Sequence, residues 1–327
     1  MNSEITPKLG VIDSVTSGFR VLARFPWLIL VPVLLDVALW LGPQLSVKPL
    51  ITPLVAAVQA PPDMALSADY QQALDTSRQL MTQFGDQFNL LSVLANGLLG
   101  VPSLAGDVAA GQSPIGRVAR FEVPSVGALA GWLAPLMILS VVIGAIYLVL
   151  IAQHLRAAPF SLPALARSFV RTLGRLLIFT LLIGLLLLAA SLPLALLSGL
   201  LALVGGVTGT LLAVSLVVFV GWWVRLGFTF IVPAMVLDEV GVRQSIWRSI
   251  NLVTHNLLST MGLVILLSLI GSGFSLVWQR LAGAPLGVAI GILGNATLGT
   301  GLLISVFIYY RDCVRRWQAR VANRAAA

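Results

Sequence analysis

The chain has 327 residues, 58% of them hydrophobic and 10% charged, with a formal net charge of +8. Soluble domains carry about 25% charged residues, so this composition and a mean hydropathy of +0.98 exclude an ordinary water-soluble fold and point to lipid as the main solvent. The lone cysteine, Cys313, excludes an internal disulfide.

A helix needs about 20 mostly apolar residues to cross a bilayer. Six runs meet that need: Pro26–Pro43, Gly127–Gln153, Leu176–Val204, Val207–Leu237, Leu257–Trp278 and Leu286–Tyr310. All are expected to be helices, because backbone groups in hydrocarbon must bond within their own segment. The first run lacks a small-residue cleavage pattern and reads as a signal anchor. The expected fold is all-α: a polytopic helical membrane protein with six transmembrane helices and three cytoplasmic interfacial amphipathic helices. Residues 1–43 hold an interfacial helix and the first span, 44–126 an outer helical segment, 127–312 a five-span membrane core, and 313–327 a basic tail.

The interfacial helices precede three of the spans. In the first, Val11, Val15, Phe19 and Leu22 share a face, opposite Asp13, Arg20 and Arg24. In the second, Leu162, Leu165, Phe169 and Leu173 are apolar, while Arg167, Arg171 and Arg175 form a basic stripe. In the third, Val242, Ile246, Ile250 and Val253 oppose Arg248, Asn251 and His255. The second and third align best, Ala166-Arg167-Ser168-Phe169 against Trp247-Arg248-Ser249-Ile250. Such helices lie in the headgroup plane.

The outer segment is long for a loop. A helix capped by Ser67 and running through Leu94 would place Tyr70, Leu74, Ser77, Met81, Phe84, Phe88 and Leu91 on one face. No structure is legible from Ala105 to Pro124. Trp27, Trp40, Trp132, Trp278 and Trp317 fall near span ends, as interfacial tryptophans do. Trp222 and Trp223 do not, and are expected to pack inside.

Charge sets the orientation. Fourteen of the twenty Lys and Arg residues fall on one side of the six runs, including Arg156, Arg167, Arg171, Arg175, Arg243, Arg248 and Arg311. The positive-inside rule makes that side cytoplasmic, with both termini there, in a multi-pass protein of the cytoplasmic (inner) membrane. The same face would attract anionic lipid headgroups. No aromatic and basic platform for nucleic acid accompanies it.

Within the spans a few polar residues stand out. Asp36 and Arg225 lie at comparable estimated depth, and a mutual ion pair is the simplest way to hold both. Gly283, Gly287, Gly291, Asn295 and Gly299 recur every four residues, a small stripe that lets backbones approach in lipid, with Asn295 placed to bond across the contact. His154 and His255 fall at the cytoplasmic boundary and read as solvated rather than metal-bound. Asp238-Glu239 precede the third interfacial helix, where acids complement a helix N-terminus. No catalytic, cofactor or metal-ligand motif is present in the sequence.

The stretch Pro233-Ala-Met-Val-Leu-Asp238-Glu-Val-Gly241, continuing through Arg248-Ser249 to His255-Asn256, resembles a broad bacterial group of multi-span proteins. That group is similar to the membrane domain of some glycerophosphodiester phosphodiesterases. The resemblance is close from Gly221 to Ile270 and implies a helical membrane fold; the phosphodiesterase domain itself is not in this chain. The expected function is a non-enzymatic membrane component that organises lipid or a partner complex, such as a homo-oligomer or a membrane-protein partner. The alternative is a small-solute or lipid transporter using Asp36 and Arg225.

Overall fold

In the computed structural model, residues 9–57, 68–95, 99–104, 119–156 and 162–326 are described. Their helices are α1 (Val11–Arg24), α2 (Leu30–Leu41), α3 (Lys48–Ala57), α4 (Ala68–Gln87), α5 (Val126–Leu155), α6 (Leu162–Phe228), α7 (Ile231–Leu237), α8 (Val242–His255), α9 (Leu257–Leu281) and α10 (Pro285–Ala326). Five stretches are long and apolar enough to cross a membrane: Val126–Leu155, Leu165–Leu201, Thr208–Leu237, Leu257–Leu281 and Pro285–Asn323. The fold is thus helical, and its five to six apolar stretches fit a multi-pass membrane protein.

The first expected span departs from the rest. A 3-10 turn at Pro26–Ile29 leads into α2, which has only 12 residues and extends about 18 Å. The chain bends by 98° between α1 and this segment. Counted with α1 as one broken span, it brings the total to six. Pro26 explains the bend, since the residue before a proline is driven out of helical geometry, and Phe25 has φ −131° and ψ 65°.

Two compact units partition the chain: Met1–Leu28 with Ala145–Gly271 and Thr300–Ala327, and Ile29–Gly144 with Ser272–Gly299. In the first unit, Phe230, Ala234, Leu252, Leu263, Tyr309, Tyr310 and Cys313 form a buried core, and Val11 and Val15 of α1 pack against it. Cys313 is fully buried. The basic tail is no separate segment, because α10 continues through it to Ala326.

The three amphipathic stretches all fall in the first unit, yet they differ. α1 and α8 are separate helices of 14 residues each, entered through extended glycines, Gly10 and Gly241. The second stretch is not a separate interfacial helix: it runs unbroken into its span as α6. Nothing there corresponds to Pro26 or Asn256, where the other two stop. The closest match is therefore between the first and third. α6 itself breaks at Gly206, whose φ of 54° and ψ of −131° suit only glycine.

In the second unit, two short strands, Gln44–Ser46 and Arg120–Glu122, pair in parallel with Leu45 opposite Phe121. These two three-residue strands are a local addition to a fold that is otherwise helical, as expected. Asn89 explains why the outer helix ends at Gln87 rather than Leu94. Its side chain accepts from the N–H groups of Leu91 and Leu45, at 3.1 and 3.0 Å, capping a 3-10 turn at Leu90–Leu94 and tying it to the first strand. α4 packs on α3, a helix the sequence did not disclose, with Gly85 against Ile51 and Lys48 paired to Asp86 at 2.8 Å. Leu74, Met81 and Phe88 are half-buried, but Ser77 and Phe84 of the expected face are exposed. Ser67 and residues 105–118 lie outside the described residues.

Candidate functional site

Asp36 is completely buried in α2. Its carboxylate accepts the Leu104 N–H at 2.9 and 3.2 Å, and the Ser103 hydroxyl donates a short bond to it. The segment from Leu99 to Leu104 is irregular, yet Leu99, Val101 and Leu104 are buried. Irregular backbone at membrane depth persists only where protein covers it. Here Asp36 supplies the acceptor that the Leu104 amide needs.

The glycine stripe serves the same segment. A Cβ at Gly291 would come within 2.6 Å of Leu104, and one at Gly299 within 2.6 Å of the Pro102 ring. Gly144 on α5 is equally close to Leu99, at 2.9 Å. The stripe thus admits a folded-in loop, rather than the second helix expected for such a pattern. Gly283 precedes α10 and is not on its face. Gly287 faces the Leu281 carbonyl of the preceding turn. Asn295 is half-buried and joins none of the hydrogen bonds among the described residues.

Arg225 lies in the other unit, on the second half of α6, and is exposed. Its guanidinium donates to Ser268 of α9 at 3.3 Å. Asp36 and Arg225 each have hydrogen-bond partners inside their own unit. Trp223, expected inside, is 45% exposed on the same helix. His154 is not simply solvated: its ring lies 4.6 Å from that of Phe25 and 4.8 Å from that of Trp27.

The densest polar cluster lies elsewhere, around Asp238 and Glu239. α7 ends at Leu237, and Glu239 takes a φ of 52°. Glycine or asparagine normally fills such a left-handed position after a helix. Holding a glutamate there costs on the order of 1–2 kcal/mol, and the surrounding bonds offset it. Arg156 donates to Glu239 Oε1 at 2.8 Å and to the Val236 carbonyl. Ser168 donates to the same Oε1 at 2.9 Å, and Arg171 approaches Oε2 at 3.9 Å. Burial alone would push the Glu239 carboxyl upward; the bonds from Ser168 and Arg156 and the charges of Arg156 and Arg175 outweigh it and hold it low.

Asp238 is bound separately. Arg248 and the Tyr310 hydroxyl donate to its Oδ2 at 2.8 and 2.6 Å. The acids therefore do not serve the N-terminus of α8, as expected, but pair with side chains from α6, α8 and α10 and with Arg156 at the end of α5. Ser249, of the same motif, donates to the Gly227 carbonyl at 2.6 Å and accepts from Phe230 N–H at 3.2 Å. The motif from Pro233 to Ser249 is thus a clamp that joins α6, α7 and α8.

Cations exceed acids in this cluster. Arg156, Arg171 and Arg175 surround Glu239, and Nη1 of Arg175 and Nε of Arg156 are buried donors with no acceptor among the described residues. Arg167 and Arg243 are exposed on the flanking helices. Sequence reasoning placed Arg167, Arg171 and Arg175 on one stripe but missed the convergence of Arg156, Ser168 and Arg171 on Glu239. Such an arrangement suits a phosphate or carboxylate group, which guanidinium forks bind well. Comparison of the chain with protein-family models, with curated proteins and with solved structures gives no match.

Proposed function

We propose that the protein is a non-enzymatic, multi-pass component of the cytoplasmic membrane that organises anionic lipid at its arginine-rich end. The observation that carries this reading is the cationic surplus around Glu239, with two buried guanidinium nitrogens that meet no acceptor among the described residues. In the orientation favoured by the positive-inside rule, this end, both termini and the loops near Arg167 and Arg248 face the cytoplasm, and 44–126 lies outside. Phosphate headgroups would then meet Arg167, Arg171 and Arg243 at the depth where they lie.

The alternative, a small-solute or lipid transporter working through Asp36 and Arg225, has less support. Asp36 is committed to the Leu104 amide, and Arg225 is on an outer helix surface. The test is to reconstitute the protein in nanodiscs of mixed phosphatidylcholine and phosphatidylglycerol and count retained lipids by native mass spectrometry. Enrichment of phosphatidylglycerol that falls in an Arg167→Gln/Arg171→Gln variant supports the reading. Lipid retained in the bulk ratio by the unaltered protein overturns it.

A further inference from the structure

Arg225 presents an unsolved electrostatic problem, and its depth can be fixed twice. It lies 12 residues before Leu237, where its span ends, or about 18 Å along a helix. Its partner Ser268 lies 11 residues after Leu257 and 13 before Leu281, the two ends of α9, or about 17 and 20 Å. The hydrocarbon layer is about 30 Å thick. Both measures put the guanidinium near the bilayer centre, farther from either headgroup layer than an arginine side chain extends.

A charge at that depth normally faces a bundle interior or a water-filled cavity. Arg225 does neither; it is exposed, and among the described residues its side chain has one partner, the neutral Ser268 hydroxyl. The surface around it is apolar and, among the described residues, uncovered. Leu211, Val214 and Val218 on α6 are 63%, 56% and 65% exposed, and Ile265 and Leu269 on α9 are 49% and 67%. The stretch Thr208–Leu237, which carries Arg225, is the least buried of the five spans. Gly221, one turn before Arg225, has open space where a Cβ would stand, so a neighbouring backbone can come close.

We propose that this face docks a transmembrane helix of a different protein, one that carries a carboxylate near its midpoint and pairs it with Arg225. Depth rules out a lipid phosphate. A second copy of this chain cannot supply the acid, because Asp36, its one acid far from the ends of the apolar runs, is completely buried and bound to Leu104 and Ser103. The inference rests on α6 and α9 crossing the bilayer, and it does not depend on anionic lipid.

The test uses full-length protein, donor-labelled and reconstituted in vesicles of phosphatidylcholine alone. Synthetic acceptor-labelled Leu/Ala transmembrane peptides carry a central Glu or a central Leu, and energy transfer reads their association at alkaline pH. The Glu peptide is expected to associate at least about tenfold more tightly, equivalent to about 1.4 kcal/mol. That advantage should vanish with Arg225→Leu and persist in part with Arg225→Lys. Equal binding of both peptides to the unaltered protein, or an advantage that survives Arg225→Leu, overturns the proposal. So does self-association of the protein that Arg225→Leu abolishes, which would make the occupant a second copy. Neutral vesicles keep these outcomes separate from the lipid-retention test.

Discussion

Ser14 and Ser245 hold the same position in two copies of one device. Each is fully buried, and each donates its hydroxyl to the carbonyl of the glycine four residues earlier, Gly10 at 2.9 Å and Gly241 at 3.0 Å. Four residues further on, Gly18 and Ser249 are again small and buried. Gly18 touches α10, where a Cβ would lie 2.7 Å from the Gly301 carbonyl and would strike Ser305, while Ser249 bonds the Gly227 carbonyl. Both helices thus use a small residue in their second turn to seat on a span.

Enlarging that residue should unseat the helix. Gly18→Leu is expected to destabilise the protein by about 1–3 kcal/mol, the usual cost of overpacking, whereas exposed Thr16→Leu should be nearly neutral. Thermal unfolding in detergent compares them, and equal melting temperatures would show that α1 does not bear on α10.

The loop from Leu99 to Leu104 makes a similar demand. Gly291→Leu should disrupt expression and thermal stability far more than Leu293→Ala, because Gly291 faces Leu104 and Leu293 is 52% exposed. Equal behaviour of the two would mean that the loop is not seated on α10.

Asp36→Asn should weaken the hold on Leu104 and cost about 1–3 kcal/mol, since a buried amide loses its charged acceptor. Arg225→Gln should leave intrinsic stability little changed. Because each charge has its own partners, the double variant should be additive within about 0.5 kcal/mol. Recovery of stability in the double variant would restore the direct ion pair as the explanation.

The Glu239 carboxyl is held below the ordinary glutamate value of about 4.3. A depressed folded-state value means that its stabilisation is complete above the unfolded value and is lost as pH falls through the folded one. Thermal midpoints of the unaltered protein and of Glu239→Gln should differ at neutral pH and converge on acidification. A constant gap down to the lowest pH tested would remove Glu239 as the source.

Orientation is open to direct labelling, since Cys313 is buried and gives little background. A cysteine at exposed Gln83 should react with an impermeant maleimide in intact cells, and one at exposed Arg243 only after lysis. The reverse pattern would invert the topology.

The helical class and the apolar spans were legible because apolar length is a one-dimensional property. Val126–Leu155 and Leu257–Leu281 nearly coincide with their expected runs. The break at Pro26 and the joining of the second amphipathic stretch to its span depend on single residues, and periodicity does not see them. The two-stranded sheet was hidden because it joins Gln44–Ser46 to residues far along the chain. The partners that Asp36 and Arg225 take inside their own units were not legible for a related reason. Depth was estimated along the chain, but which way each residue faces depends on packing. The Glu239 cluster was missed because its members come from α6, α7 and the end of α5, and no local pattern brings them together.

The bond between Asp36 and Leu104 also sets an order of assembly. The two residues are 68 apart in the chain. At synthesis rates of about 5–20 residues per second, Asp36 is made about 3–14 s before its acceptor role can be filled. During that interval α2 is a 12-residue helix with a carboxylate and no seat. The Asp36 carboxylate therefore stays without the Leu104 amide until the outer segment has been made. The seat of Leu104 on Gly291 comes later still, so this unit cannot be completed before α10 is made.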